Sequence, residues 1–316
     1  MLLIITNSED ATANYLAETL NQARVPFVRF DTDRSLESAR LRYSGAGAQL
    51  ALEGTWYKPE DFRNVWYRRP ERLRVSQAEE TPELKFLVDE WSEAIEGYFA
   101  HIPSEKWMNH PANEAVAHHK LQQLSRAQAL GFKVPDTLVT QDPEELHEFF
   151  CRHGGRLITK PMARGHIARG GDAADTVIFT NRVRAEHLEQ TEDVRCCPTL
   201  FQEEIAKRAD VRITVVDDDI HAVELRALDA DGLQRCDIRR SQIGDVEYTV
   251  VDLPGEIAGQ IRSLTRGYGL RFGAIDMAIS EQGAWVFFEI NPNGQWAWMD
   301  LEGVTDIASS FVRSFK

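Results

Sequence analysis

The sequence predicts an α/β (α+β) protein in which an N-terminal α/β lobe precedes a larger α+β unit. Three observations support this fold class. The chain has 316 residues, which is enough for two domains. Near the N-terminus, an apolar segment, an amphipathic helical segment and a second apolar segment follow one another, which is typical of parallel strands joined by a crossover helix. After about residue 180, strand-like segments dominate.

The N-terminal lobe is predicted from alternating short apolar runs and helical periodicity. The predicted strands cover residues 2–6, 26–30 and 64–68, and the predicted helices cover 10–23 and 81–99.

The larger unit begins with a predicted helix over 113–130. Gly131 ends it, because glycine readily adopts the left-handed conformation that follows a helix. His118 and His119 lack a metal-binding partner one turn away, so we interpret them as a pair on the surface of this helix. The remaining predicted helices cover 143–151 and 253–267, and the strands cover 137–140, 156–160, 199–203, 211–216, 221–224, 273–279 and 285–290.

Charge excludes one class of partner. The chain has 36 Lys and Arg against 50 Asp and Glu, a net charge of −14. Nonspecific binding to duplex nucleic acid requires a basic surface, so we expect no nucleic-acid partner. A local basic strip can still bind the phosphates of a nucleotide.

The cysteines and the apolar segments predict a cytoplasmic protein. Cys151, Cys196, Cys197 and Cys236 show no CxxC spacing, and we interpret them as reduced thiols in the core. The N-terminal segment lacks a basic region, which predicts a first strand and not a signal peptide. No apolar run is long enough to cross a membrane, so we expect no membrane partner.

The strongest local signal is the segment GAIDMAISEQGAWVFFEINPNGQW near the C-terminus. Two strands joined by a turn-rich stretch indicate a hairpin that brings Asp276 opposite Glu289. Strand alternation then predicts Glu289 and Asn291 on one face, with Phe288 and Ile290 on the other. Such oxygen ligands suit Mg²⁺. The alternative is a half-exposed sheet face with scattered acids, although acids within apolar runs are costly to bury unless they are paired or bind metal.

Two lysines and a glycine-rich loop suggest a phosphate site. Lys120 falls within the predicted helix, and Lys160 ends an apolar strand, from which a lysine can reach a phosphate. The loop over 162–171 contains three glycines together with Arg164 and Arg169. Taken singly, the lysines are typical of surface lysines, and the loop is also typical of a long hairpin tip.

The segment from Gln202 to Ile205 resembles a strand that leaves the core, and Asp210 and Arg212 follow it closely. An adenine read by backbone groups needs an exposed strand end, and a ribose needs a nearby carboxylate. The alternative is an ordinary edge strand with solvated acids.

The order of these segments resembles the ATP-grasp superfamily. A lysine on a helix, Lys-Pro after a strand, a glycine-rich loop, Gln-Glu-Glu-Ile, Asp-x-Arg and Asp…Glu-x-Asn follow one another over about 107–316. The segments EINPNGQW at 289–296, LGFKVPDT at 130–137 and VWYRRP at 65–70 are similar to one branch, the microviridin-type (graspetide) peptide maturases. The resemblance implies an ATP-grasp fold with an N-terminal pre-ATP-grasp lobe.

The resemblance also implies a nucleotide site. The two lysines match the lysines that contact ATP phosphates, and the backbone of Glu203 and Ile205 matches the hinge that reads adenine. Asp210 matches a contact to the ribose. The implied cofactor-binding residues are Lys120, Lys160, Gln202, Glu203, Glu204, Ile205 and Asp210.

The same resemblance implies the reacting site. Arg212 and Arg226 match arginines that contact the γ-phosphate and an acyl phosphate, and Asp237 with Arg239 matches the Asp-x-Arg motif that grips the substrate carboxylate. The implied Mg²⁺ ligands are Asp276, Glu289 and Asn291. Arg164 and Arg169 have no match in the pattern of the family.

The implied enzyme is an ADP-forming ligase that uses ATP and Mg²⁺. It activates Asp or Glu side chains of a ribosomal precursor peptide, leader plus core, as acyl phosphates, and closes intramolecular esters or amides. Two alternatives stay open at this point. One is a ligase that joins a free amino acid or small amine to a peptide or small-molecule carboxylate. The other is a nucleotide-binding regulatory module without catalysis.

The resemblance divides the chain into three parts. Residues 1–100 form the pre-ATP-grasp domain, 101–190 form a central subdomain expected to contact the leader, and 191–316 form the C-terminal subdomain with the Mg-ATP site. A homodimer is a further expectation.

Overall fold

The computed structural model describes residues 1–34, 39–73, 81–163, 165–169, 175–241 and 243–316. Its N-terminal lobe is built on a parallel sheet of strand order β2-β1-β6-β7. The Asp10 side chain accepts a hydrogen bond from the Ala13 amide and so caps the first helix. The elements are β1 (Leu2–Thr6), α1 (Ala11–Gln22), β2 (Phe27–Asp31), β3 (Arg40–Ser44), β4 (Gly47–Leu52), β5 (Thr55–Tyr57), β6 (Asn64–Tyr67), α2 (Pro82–Phe99) and β7 (Trp107–Met108).

Strands β3, β4 and β5 form a separate antiparallel sheet beside the parallel one. Thr81 caps α2, and the helix buries Val88, Ile95 and Tyr98 against the lobe. The predicted strands and helices of this lobe are confirmed, whereas the sheet of β3 to β5 was not predicted.

The predicted helix over 113–130 is wrong as a single element. The chain forms α3 (Pro111–Ala117) and α4 (Lys120–Ala129), separated by His118 and His119. The backbone of His119 is extended (φ −78°, ψ 103°), so helical hydrogen bonding stops there and starts again at Lys120. Both histidines are exposed, as expected, but they lie between two helices instead of on one.

A central sheet has the strand order β12-β9-β13-β8, and its paired strands are antiparallel. Helix α5 packs on it through Leu146 and Phe149. The elements of this region are β8 (Thr137–Thr140), α5 (Pro143–Arg152), β9 (Leu157–Thr159), β10 (His166–Ile167), β11 (Thr176–Val177), β12 (Asn181–Val183) and β13 (Thr199–Glu203).

The C-terminal sheet has the order β16-β15-β14-β17-β18 and is antiparallel. Helix α6 ends at Gly269, which adopts the left-handed conformation. The elements are β14 (Lys207–Val216), β15 (Asp219–Arg226), β16 (Glu247–Val250), α6 (Gly255–Tyr268), β17 (Phe272–Ser280), β18 (Trp285–Asn291), α7 (Ala297–Leu301) and α8 (Ile307–Phe315).

One apolar core joins the N-terminal lobe to the C-terminal sheet. Leu2 and Leu16 of the lobe share a buried cluster with Phe272 and Trp296, and the Trp296 ring stacks on Phe311 with 4.8 Å between centroids. Among the described residues, no helix is long and apolar enough to cross a membrane.

The interpretation of the cysteines as core thiols is wrong. All four are free, but Cys151, Cys196 and Cys197 are exposed and Cys236 is half-buried. Cys151, for example, lies on α5, whose buried face carries Leu146 and Phe149 instead.

Candidate functional site

A cleft of about 990 Å³ lies between the central sheet and the C-terminal sheet. It is lined by the end of β13, by β14 and β15, and by the β17–β18 hairpin. All fourteen residues that the resemblance assigns to the nucleotide, reacting and metal sites line this cleft. They are Lys120, Lys160, Gln202, Glu203, Glu204, Ile205, Asp210, Arg212, Arg226, Asp237, Arg239, Asp276, Glu289 and Asn291.

The β17–β18 hairpin pairs Asp276 directly with Glu289, as the sequence predicted. Each carboxylate faces a cation, because Arg212 Nη1 lies 3.2 Å from Asp276 Oδ1 and Lys120 Nζ donates to Glu289 Oε2. Burial raises the pKa of Asp276, and the nearby Glu289 raises it further, against the effect of Arg212. Burial also opposes ionisation of Glu289, but Lys120 and Lys160 hold its pKa well below the ordinary range.

A β-bulge corrects one prediction about this hairpin. The register passes from Asp276 opposite Glu289 to Met277 opposite Phe287, so Phe288 has no partner in the ladder. One inserted residue disrupts the strict alternation of faces. Phe288 therefore lines the cleft together with Glu289, and the prediction that it lies on the opposite face is wrong.

The Phe288 ring lies between two lysines. Lys160 Nζ and Lys207 Nζ lie 5.7 and 5.9 Å from the ring centroid, within the range of cation–π attraction. Burial lowers the pKa of Lys160, although Glu289 opposes this shift. Phe288 and Lys207 were not identified from the sequence as residues of the site. Phe288 belongs to an apolar run, which is typical of a core strand, and Lys207 is typical of a lysine exposed on a strand.

Strand β13 carries the proposed adenine segment. It lies between β9 and β8, so the alternative of an edge strand is wrong. Gln202 is buried and donates to Thr137 Oγ1 at 2.9 Å. The Glu203 carboxylate accepts from the Asp136 amide at 3.2 Å, and Glu204 pairs with Arg182 at 2.6 Å. Glu203 and Glu204 therefore line the cleft with their carboxylates already bound by groups of the protein.

Asp210 lies on β14, which also lines the cleft. Its carboxylate accepts from Lys207 Nζ at 2.6 Å and from Gln234 Nε2 at 2.9 Å. Arg226 is half exposed, and its Nη1 lies 3.9 Å from Glu247 Oε2, so its guanidinium is only loosely held.

Asp237 and Arg239 form a bidentate pair. Arg239 donates from Nε and Nη2 at 2.9 and 2.5 Å, and the Thr180 amide donates to the same carboxylate at 2.9 Å. Burial opposes ionisation of Asp237, but these hydrogen bonds keep its pKa below the ordinary value. Asp237 is therefore a buried anion that fixes an exposed guanidinium in the cleft.

The glycine-rich loop is described only in part. Arg169 is exposed, and its Nε donates to Thr176 Oγ1 at 3.0 Å, within the β10–β11 hairpin. Arg164, Gly170 and Gly171 lie outside the described residues.

The donor set suits a hard divalent cation. Asp276 and Glu289 supply carboxylate oxygens, and Asn291 at the end of β18 supplies an amide oxygen. No cluster of three or more His, Cys, Asp or Glu side chains arranged for metal binding occurs in the part of the chain that the structure describes. A cation between the two acids would offset the repulsion that raises the pKa of Asp276.

Comparison with known proteins agrees with this geometry. The MvdD pre-ATP-grasp domain matches residues 1–115. The macrocyclase MdnC of Microcystis aeruginosa, solved with its precursor peptide MdnA, is 28% identical at a TM-score of 0.84, covering 99% of this chain and 98% of that one. None of the curated proteins matches the chain significantly.

Two further solved structures are similar over the whole chain. A RiPP-associated ATP-grasp ligase of Chryseobacterium gregarium, in complex with ADP and a leader and core peptide, is 26% identical at a TM-score of 0.79, covering 99% and 96% of the two chains. The macrocyclase MdnB of Microcystis aeruginosa is 26% identical at a TM-score of 0.75, covering 99% and 98%. The fold and the resemblance predicted from the sequence are confirmed: the chain is an ATP-dependent ligase of ATP-grasp fold with an MvdD-type pre-ATP-grasp domain over residues 1–115, and it is similar over its whole length to the macrocyclases MdnC and MdnB.

Proposed function

We propose that the protein closes intramolecular ester or amide bonds in a ribosomally made precursor peptide at the expense of ATP. The observation that carries the proposal is that one cleft brings together the paired acids Asp276 and Glu289 with a set of cations. These cations include Lys120, Lys160, Arg212, Arg226 and Arg239. MdnC and the Chryseobacterium ligase, which share the fold over nearly the whole chain, were solved with precursor peptides.

The nucleotide would lie along β13 and the hairpin. The backbone of Glu203 and Ile205 would read adenine, with Gln202 and Glu204 supporting this segment and Asp210 near the ribose. Lys120 and Lys160 would contact the phosphates, where a lysine acts as a compact positive charge. Asp276, Glu289 and Asn291 would hold Mg²⁺, whose charge offsets that of the phosphates.

The reacting carboxylate belongs to an Asp or Glu side chain of the peptide. One of its oxygens attacks the γ-phosphorus of ATP, the bond to the β-γ bridging oxygen breaks, and an acyl phosphate and ADP form. A Ser or Thr hydroxyl or a Lys amine of the same peptide then attacks the acyl carbon. Phosphate leaves with the bonding electron pair, and the nucleophile loses a proton.

The arginines of the cleft orient and stabilise these groups. Arg239, fixed by Asp237, would bind the substrate carboxylate through its planar donors. Arg212 and Arg226 would offset negative charge on the transferred phosphoryl group, where fixed cations stabilise a transition state most effectively.

Three parts of the chain divide this work. We assign metal binding and the other nucleotide contacts to 191–316, leader contact together with the phosphate contacts of Lys120 and Lys160 to 101–190, and support to 1–100. The sheet of the N-terminal lobe also includes β7, so this lobe reaches beyond residue 100.

The test is peptide-dependent release of ADP and phosphate, followed by mass spectrometry of the peptide. We expect each turnover to remove the mass of one water from a single peptide chain, and turnover to stop with EDTA. The double variant Asp276→Ala, Glu289→Ala should release no ADP above background, and unchanged turnover would overturn the proposal. A gain of one residue mass would indicate a ligase for free amino acids or amines, and nucleotide binding without turnover on any candidate peptide would indicate a regulatory module.

We further infer that the enzyme works in the cytoplasm as a homodimer. The cytoplasm supplies ATP and keeps thiols reduced, which suits three exposed free cysteines.

The homodimer is inferred from a different feature. Exposed Phe86 and Leu87 on α2 provide an apolar surface for a second copy. Light scattering of the purified protein tests the dimer, and a monomer at micromolar concentration would contradict it.

A further inference from the structure

Arg68 lies where the N-terminal lobe meets the metal-binding hairpin. It directly follows β6, and its backbone amide donates to Ile5 O at 2.8 Å. The side chain is 1% exposed, which is rare for an arginine. Burial lowers its pKa to about 10 in spite of Asp10, whose Oδ2 lies 3.3 Å from Arg68 Nε, so the guanidinium stays charged at neutral pH.

The guanidinium binds one short segment, the loop of residues 292–296. Arg68 Nη1 donates to Asn293 O and Gly294 O, both at 2.9 Å, and Nη2 donates to Gln295 Oε1 at 2.7 Å. Thr12 of α1 also donates to Gln295 Oε1. The lobe therefore holds this loop through a buried cation and a hydroxyl.

The loop of residues 292–296 packs closely against the ends of β17 and β18. It directly follows Asn291, which ends β18 two residues after Glu289. A Cβ atom on Gly294 would clash with Ala274 Cβ, and Ala274 pairs with Asn291 in the ladder. The position of the loop thus fixes the end of β18.

We propose that Arg68 is a positioning residue for the metal site, through which the N-terminal lobe sets the geometry of Asn291 and Glu289. This inference rests on the proposed function only in that these two residues hold Mg²⁺. Arg68 is not among the residues that line the cleft, so it acts on the site through this loop. It sets Mg²⁺ affinity by holding the loop next to the ligands.

The variant Arg68→Lys separates this role from general support of the lobe junction. Lysine keeps the charge beside Asp10 but cannot present the planar set of donors that reaches three acceptors. The matched control is Arg271→Lys. Arg271 also joins the two lobes, because Nη1 donates to Asn64 Oδ1 at 3.2 Å and Nε and Nη2 bind Asp217, but these bonds do not involve the loop.

The experiment is a calorimetric titration of ADP at a series of Mg²⁺ concentrations, and again in EDTA, with no peptide present. In wild type, ADP affinity should rise with Mg²⁺ concentration to a plateau, and the midpoint of that rise reports Mg²⁺ affinity. We expect Arg68→Lys to raise this midpoint about tenfold, because a hydrogen bond to a charged group contributes about that factor to an equilibrium constant. Affinity for metal-free ADP should stay within about twofold, and Arg271→Lys should match wild type in both titrations.

An unchanged Mg²⁺ midpoint in Arg68→Lys, an equal loss of metal-free ADP binding, or the same shift in Arg271→Lys would overturn the proposal. If Arg68→Lys fails to fold, Gln295→Ala decides, because it removes one of the three acceptors and should shift the midpoint about threefold in the same direction. Since no peptide is used, a failure of the macrocyclisation proposal leaves this result unaffected.

Discussion

Glu289 in the cleft and Glu114 at the lobe junction are both largely buried, yet their pKa values move in opposite directions. Lys120 and Lys160 hold the pKa of Glu289 low, although burial opposes this shift. Burial raises the pKa of Glu114 to about 8, because Asn109, Arg68 and Asn293 compensate only in part. Asn293 Nδ2 donates to Glu114 Oε2 at 2.6 Å, and Oε1 has no hydrogen-bond partner among the described residues.

The difference shows that burial alone does not decide whether an acid is an anion. A hydrogen bond from one ammonium group and the charge of a second one nearby keep a carboxylate charged and available to bind a cation. A neutral amide and a guanidinium that is engaged elsewhere leave a buried acid protonated at neutral pH.

The largest effect is expected from removing the charge at the cleft. Glu289→Gln retains the size of the side chain but removes an anion beside two lysines and the proposed metal. We expect peptide-dependent ADP release to fall by about 1,000-fold or more. Steady-state kinetics measure this change, with Glu93→Gln on the exposed face of α2 as a matched control. Activity within tenfold of wild type would exclude Glu289 from the reacting site.

The next effect comes from the cations that keep Glu289 ionised. Lys120→Met removes the hydrogen bond to Glu289 and one proposed phosphate contact. We expect KM for ATP to rise about 10-fold to 100-fold, which is the value of a charge-assisted hydrogen bond. The control is Lys85→Met, because Lys85 is an exposed residue of α2 far in sequence from the cleft residues. An unchanged KM for ATP would place the phosphates elsewhere.

A smaller effect is expected where a buried anion orients a cation. Asp237→Asn removes the charge that pairs with Arg239 and should raise KM for the peptide about tenfold, with KM for ATP within about twofold. Asp217→Asn is the matched control, because it weakens a similar bidentate pair, with Arg271, outside the cleft. Equal changes in both variants would argue against a role of Asp237 in substrate binding.

The smallest effect concerns stability. The folded pKa of Glu114 lies near 8 and its ordinary value is 4.5, so the unfolded chain binds fewer protons between these two pH values. The free energy of unfolding should therefore fall as pH rises through this window, by at most about 1.4 kcal/mol per pH unit from this residue. Urea denaturation at pH 5.5 and 8.5 measures it. Glu114→Gln should flatten the decline, and equal pH dependence in both proteins would contradict the shifted pKa.

Local patterns predicted most of the fold. The turn-rich stretch and two apolar runs gave the register that sets Asp276 opposite Glu289, since hairpin pairing is determined by nearby residues. The same patterns failed where one residue departs from regular geometry. The extended backbone at His119 splits a helix, and the bulge at Phe288 brings an aromatic ring into the cleft.

The sequence by itself determined the fold class, the order of the motifs and the chemical identity of the cleft residues. Strand alternation, helical period and turn residues are local properties that a single chain displays. Only the tertiary structure decided which charges meet. The contacts of Arg68 with residues 293–295 and of Lys120 with Glu289 join residues far apart in the chain, and the electrostatic energy of each group depends on such neighbours and on its burial.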